Sequence, residues 1–360
     1  MVGMDTSNWL STTCATSYNI SIISTCVTKF IQLIKASFKS FIRIDLSSTM
    51  TTFDTTSSAI SHMQEDLFIP GNIVYSEGKS LKTTNGRTKQ LIAGDSGVYG
   101  YAEGIGVDAY FKYIASFLQL NSTTLLVVDS GNHCLRLVDR ITTKTSRRLG
   151  RCTLGGSEIL RFHYPTTLIF DKMNREQLLF IDSANRALKA INKTNWTKKN
   201  LFVFSTSIQP KRIVQQENGN LFVAVGHCIM EYYYVTKSAS LITGSIDQNG
   251  FHDGSLPEAR FDTPREMLIL PSNKLLVADR ANNRIRLIDL GWNVSFSICS
   301  GVSSTRDGNI SYCGVVRPLA LLAVNDTVYV GQNGAIRAVQ GEIIIIINNQ
   351  CLHSVYELMV

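Results

Sequence analysis

A short apolar run ending in Asp, a small polar turn carrying Asn, and a second, alternating run recur along the chain. The copies are VVDSGNHCLRLVD (Val127–Asp139), FIDSANRALKAIN (Phe180–Asn192) and VADRANNRIRLID (Val277–Asp289). Each copy reads as a β-hairpin, because alternation over a few residues is the signature of a strand and the polar turn breaks it. Copies recurring at spacings of about fifty residues call for repeated small sheets rather than one continuous core.

The clearest unit runs from Gly250 to Gly301. A Gly/Asp loop precedes an apolar strand around Phe261–Leu270, and Pro271–Ser272–Asn273 turns into a strand over Lys274–Ala278. A third strand is expected over Arg284–Ile288 and a fourth over Val294–Cys299. Four short strands punctuated by Gly, Pro and Asn make one antiparallel sheet. The same order begins at Gly100–Phe111, Gly155–Phe170, Ile208–Val235 and Val315–Val339, the last followed by Gly341–Ile347. Residues Asp66–Gly94 read as the last three strands of a sixth sheet, and Leu352–Val360 is the expected source of its missing first strand. Closing a circle of sheets with strands from both chain ends removes exposed edges.

The pattern Gly-x-x-Asp-Gly, Ala-Arg-Phe-x-x-Pro and Leu-x-Val-Ala-Asp-x-x-Asn-x-Arg-Ile-Arg resembles the NHL repeat, named for Asn, His and Leu. Here Asn132–His133 and Leu135 match it. The resemblance covers roughly residues 66–360 and is sharpest in the first and fourth units. It implies an all-β, six-bladed β-propeller over residues 64–360, with residues 1–63 as a non-propeller extension.

That extension is rich in Ser and Thr and carries no acid between Asp5 and Asp45. Ile23, Val27, Phe30, Ile34, Phe38 and Ile42 follow helical steps, with Lys35, Lys39 and Arg43 on another face. The spacing predicts a basic amphipathic helix, and membrane contact is expected only through residues 20–46. Lys29 interrupts the apolar run, which fits neither a secretory signal nor a spanning helix; a mitochondrial transit peptide suits the composition but not the sequons. A poorly ordered extension is the remaining reading.

Across the whole chain, 44% of residues are hydrophobic and 18% charged, which supports an extensive core and excludes a disordered chain. The net charge of +7 permits anionic partners without demanding one. None of the cysteines 14, 26, 134, 152, 228, 299, 313 and 351 forms a CxxC pattern. Cys299 and Cys313 bracket a loop that a disulfide would close, and Cys134 and Cys152 fall on neighbouring strands. Buried free thiols are the alternative. Glycosylation sequons begin at Asn19, Asn121, Asn192, Asn195, Asn293, Asn309 and Asn325, and all but the first fall in expected turns or loops. Together with the cysteines they point to an extracellular or lumenal protein; the alternative is cytoplasmic.

Asp129, Asp182 and Asp279 share one repeat position, each three residues before Asn132, Asn185 and Asn282. A circle of carboxylates able to hold a metal is the functional reading. Turn construction explains the recurrence better: Asp accepts local backbone N–H groups and Asn tolerates left-handed geometry. Arg136, Arg286 and Arg337 also share a position and are expected as outer-face charges supporting neighbouring strands, not as a nucleic-acid surface. Tyr232–Tyr233–Tyr234 is expected to pack rather than to bind.

His133 and His227 occupy the same turn in different units and are the metal candidates, with His163 or His252 beside them. The resemblance extends to peptide-amidating lyases, NHL propellers that hold zinc through histidines of several blades. No GxSxG, phosphate-loop or HExxH motif occurs. The expectation is therefore a non-enzymatic, monomeric binding propeller without a cofactor. Its protein or small-ligand partner would be read by Asp95–Ala109, Gly155–Leu160, Ser245–Glu258 and Gly301–Gly314. The alternatives are a lyase or hydrolase with a divalent metal in a central channel, and an RNA-binding domain like those of tripartite-motif proteins.

Overall fold

A computed structural model describes residues 42–43, 49–95, 97–152, 162–204, 209–271, 273–309, 312–325, 327–340, 346–347 and 350–351. Among them every strand pairing is antiparallel, and the helical content is two short 3-10 turns. The chain divides into two units, 47–342 and 1–46 with 343–360. In the smaller unit the described residues form one sheet, in which Ile346–Ile347 pairs with Ile42–Arg43 and with Gln350–Cys351. Ile42 and Arg43 are thus extended, correcting the end of the expected helix; its remaining residues lie outside those described.

The larger unit opens, by strand order, into four similar sheets and one larger sheet. Sheet one contains Ile114–Gln119, Thr124–Asp129, Cys134–Asp139 and Lys144–Leu149, with Gly104–Ile105 added at its outer edge. Sheet two contains Pro165–Phe170, Gln177–Asp182, Ala187–Asn192 and Lys198–Val203. Sheet three contains Pro210–Gln215, Leu221–Val225, His227–Tyr233 and Ser238–Ser245. Sheet four contains Pro264–Leu270, Lys274–Asp279, Arg284–Asp289 and Val294–Ile298, with Gly254–Ser255 added. These strands agree with the repeat reading to within a few residues at their ends.

The seven-stranded sheet corrects two expectations. Its strand Thr49–Glu65 pairs over Thr49–Ala59 with Thr327–Gln340, and over Ile60–Glu65 with Ile73–Glu77. The expected boundary at residue 63 therefore falls inside a strand. Ile60–Glu65 fills the first-strand place assigned to Leu352–Val360, a segment outside the described residues. Thr49–Thr55 takes the place beside Thr327–Gln340 expected for Gly341–Ile347, with Gly308–Asn309 added outside it; residues 341–345 lie outside those described. A strand of this length can serve two sheets because register shifts at Thr52/Asp54 and Thr55/Ala59 bend it between its two partners.

Four core clusters are each shared between neighbouring sheets. Val74, Leu81 and Ile92 pack with Phe117, Leu125 and Val127 of sheet one, and Leu126 and Val128 on its other face meet Leu178 and Phe180 of sheet two. Leu179 and Ile181 meet Leu221 and Val223, while Phe222 and Ala224 meet Leu275 and Val277. The second strands are consequently apolar on both faces, each large side chain contributing about 1.5–3 kcal/mol by leaving water.

Four of the seven prolines, Pro165, Pro210, Pro264 and Pro318, open or precede a first strand. There Pro fixes φ and needs no partner for an N–H. A register shift follows at Pro165/Leu168, Pro210/Arg212 and Pro264/Met267, matched by Ile114/Ser116 and Ile60/His62. Such bulges re-aim the residues just inside each first strand.

Candidate functional site

Each repeat Asp is a buried anchor. One Asp129 carboxylate oxygen accepts from the backbone N–H of Lys112 at 3.2 Å; the other accepts from Asn132 Nδ2 at 2.8 Å and Arg136 Nη1 at 3.3 Å. Asp279 repeats this with the Asp262 N–H, Asn282 and Arg286, at 2.8, 2.8 and 3.1 Å. In sheet two, Asp182 takes the His163 N–H, Asn185 and, in place of arginine, Lys189 at 2.5 Å. These N–H groups belong to the connection before the first strand, so the Asp fastens a distant loop to its own turn. The Asn is not the left-handed residue either. That role falls to the next position, His133 (φ 59°), Arg186 (φ 52°) and Asn283 (φ 52°), while Asn132 and Asn282 donate to the Gly100 and Gly250 carbonyls at 2.7 Å.

The arginine expectation is overturned. Arg136, Arg286 and Arg337 are fully buried, since a face turned away from one sheet is covered by the next. Arg286 donates to the Arg260 and His252 carbonyls and lies between the rings of Phe251 and Phe261. Arg136 does the same with the Tyr110 and Ala102 carbonyls and the rings of Tyr101 and Phe111. Arg337 lacks the turn Asp and pairs with Asp307 at 2.6 Å. Burial pushes Asp129 and Asp279 above the ordinary carboxylate value despite their donors, and pushes Arg136 below its own.

His133 and His227 are fasteners between sheets. His133 Nδ1 accepts the Tyr164 N–H at 3.1 Å, and His227 Nδ1 accepts that of Thr263 at 3.2 Å. Asn283 does the same for the Arg317 N–H at 2.9 Å, and all three donors belong to left-handed residues. Burial, with His163 and Lys112 nearby, holds the His133 pKa below its usual value. Among the described residues no group of three or more His, Cys, Asp or Glu side chains is placed to hold a metal.

Cys134 is bonded to Cys152 and Cys299 to Cys313, while Cys228 is a buried free thiol pushed up to about 12 by burial. Asn121, Asn195, Asn293, Asn309 and Asn325 are exposed and Asn192 is half-buried. Tyr232 is buried and the Tyr234 hydroxyl donates to Asp171 at 2.9 Å, so this cluster packs.

Sequence reasoning missed a charged cluster on the bulges of the first strands. Arg212 reaches across four sheets. Its Nη2 donates to the carbonyls of Ser61 (2.7 Å) and Ala115 (2.8 Å), its Nη1 to that of Thr166 (3.0 Å), and its Nε lies 3.3 Å from Glu266 Oε2. His62 Nδ1 meets the same Glu266 oxygen at 3.1 Å. Burial alone would raise the Glu266 pKa, but Arg212 and His62 hold it below the usual range. Beside this knot stand Lys211, Arg265 and Arg280. Lys211 donates to Ser183 Oγ at 3.1 Å and Gln209 Oε1 at 2.8 Å, both neutral. Burial and Arg265 push Lys211 down to about 8; burial, Arg212 and Arg280 push Arg265 down to about 10. The signal was the proline register, which aligns Thr166, Lys211 and Arg265 one residue after Pro165, Pro210 and Pro264.

Strand order puts this cluster at the end of the sheets that carries the long fourth-to-first connections, including Asp95–Ala109, Ser245–Glu258 and Gly301–Gly314. Gly155–Leu160 belongs to another such connection and lies outside the described residues.

Solved structures with this arrangement of sheets define a propeller-like fold. An auxiliary nutrient binding protein from Bacteroides thetaiotaomicron aligns at TM-score 0.65 and 12% identity, over 82% of this chain and 76% of that one. Its counterpart from Bacteroides ovatus aligns at 0.63 and 13%, over 83% and 78%. A streptogramin B lyase aligns at 0.52 and 11%, over 81% and 97%. Identities this low speak to fold alone. No protein-family profile matches the chain, and no curated protein matches it.

Proposed function

We propose that the chain is an NHL-like, six-bladed β-propeller that binds a partner without transforming it, in an extracellular or lumenal setting. Six first strands support the blade count: Ile60–Glu65 abuts Ile114–Gln119, and successive first strands touch through Ala320–Val324, which returns to Thr49–Glu65. Thr49–Glu65 would then close the ring as the outer strand of one blade and the inner strand of the next.

The observation carrying the binding reading is the asymmetry between the two ends. At one end the strands are joined by tight turns capped by side chains such as Asn121, Asp139, Asn192 and Asp289. At the other, the long connections leave the sheets at the end where the half-buried cation cluster lies. A rigid scaffold elaborated at one end is how recognition is carried on a repeat fold. The two disulfides support an oxidising compartment, since such bonds persist there and are rare in the cytosol. Nutrient binding by two of the aligned proteins agrees with this reading and names no ligand for this chain.

The test is capture of ligands from a small-molecule and glycan library by the native chain, repeated after Asp95–Ala109, Ser245–Glu258 and Gly301–Gly314 are replaced by short Gly/Ser links. Loss of the captured ligand is expected. Undiminished capture by the loop-replaced protein defeats this reading.

A further inference from the structure

We propose that Lys211, Arg265 and Arg280 hold the oxyanion group, phosphoryl or carboxylate, of a small ligand where the first strands converge. The inference rests on the binding reading above and gives it a ligand chemistry.

A buried cation is expensive unless an anion accompanies it. The buried cations among the described residues of the larger unit obey that rule: Arg136 has Asp129, Arg140 has Asp66, Lys189 has Asp182, Arg286 has Asp279, Arg337 has Asp307, and Arg212 has Glu266. Lys211, Arg265 and Arg280 are half-buried and stand without such an anion. No carboxylate among the described residues pairs with any of them, and Glu266 already serves Arg212 and His62. The Nε atoms of Arg265 and Arg280 are buried without an acceptor, as are the Thr166 and Thr263 hydroxyls. Arg265 stands near both Lys211 and Arg280, so three cations without a carboxylate gather at one place.

Their origin explains the gathering. Thr166, Lys211 and Arg265 occupy the same bulge position in three successive sheets, and Arg280 comes from the turn after Asp279. Two guanidinium forks and an ammonium offer the charge and the donors that an oxyanion takes. Among the described residues the neighbouring Tyr113 brings only a hydroxyl, which accepts a hydrogen bond from Ser61 Oγ at 3.1 Å.

The experiment titrates the full chain calorimetrically with inorganic phosphate and, separately, citrate, at constant ionic strength, with parallel melting curves. At least one anion is expected to bind one-to-one and raise Tm. Arg265→Gln should weaken that binding about tenfold or more, while Arg87→Gln, on an exposed turn, leaves it unchanged. Arg265→Lys should retain part of it, which separates lost charge from lost folding. Binding above about pH 8 should also take up protons as the anion re-protonates Lys211, an uptake that Lys211→Met abolishes. Preference for phosphate or citrate tells the phosphoryl source from the carboxylate source. No binding of either anion, or equal binding by wild type, Arg265→Gln and Lys211→Met, overturns the proposal. A library ligand still captured by Arg265→Gln would leave the binding reading standing and remove only its anionic chemistry.

Discussion

Single residues in this fold act across sheets more than within them. Arg286 holds two loop carbonyls, the turn carboxylate and two aromatic rings at once, so truncation strips partners from several strands. Arg286→Leu should destabilise the protein by about 3–5 kcal/mol, the cost of leaving a buried charge unpaired, read as a fall in the urea midpoint. His133 makes a different prediction. Its folded pKa lies below the unfolded value of 6.5, so the unfolded chain binds the extra proton first. The stability it contributes is complete above about pH 6.5 and is lost as the pH falls through the folded pKa. His133→Asn, which installs the acceptor used at Asn283, should keep neutral-pH stability and flatten the decline towards pH ~5. An unchanged slope would refute the fastening role.

At the scale of strands and turns, the hairpin repeat made the sheets legible, including the order of four strands and the turn residues. Its alternation misled about Arg136 and Arg286, because period two tells which side of a sheet a residue occupies and not whether water is there. The anchor roles of Asp129 and Asp279 were invisible for a related reason: their N–H partners lie in connections that sequence spacing does not bring near. Lys211, Arg265 and Arg280 belong to separate repeats and form no linear motif. Glycine carries a signal of the same kind. Gly150 and Gly244 end fourth strands with φ 91° and 88°, and a Cβ on Gly244 would sit 2.5 Å from the His227 carbonyl oxygen. The disulfides were legible from spacing, and each closes a short loop, with separations of 18 and 14 residues. Replacing both Cys134 and Cys152 with Ala should cost about 3 kcal/mol through the entropy restored to the unfolded chain. A melting temperature unchanged by that double substitution, or by reduction of both bridges, would contradict this.

For the whole molecule, five of the six described sequon asparagines, Asn121, Asn192, Asn195, Asn293 and Asn325, lie on the tightly turned end, away from the cation cluster, and the sixth, Asn309, lies in a long connection. Glycans there would leave the elaborated end open. The strand Thr49–Glu65 has a consequence of another sort, in time rather than space. Its outer half pairs with Thr327–Gln340, near the far end of the chain. During synthesis at about 5–20 residues per second, that half emerges early and waits on the order of 15–60 s for its partner. Until then a β-branched, threonine-rich edge stands open to any passing strand. Sheets one to four can form while it waits, and the last join is made only once residues 327–340 have emerged.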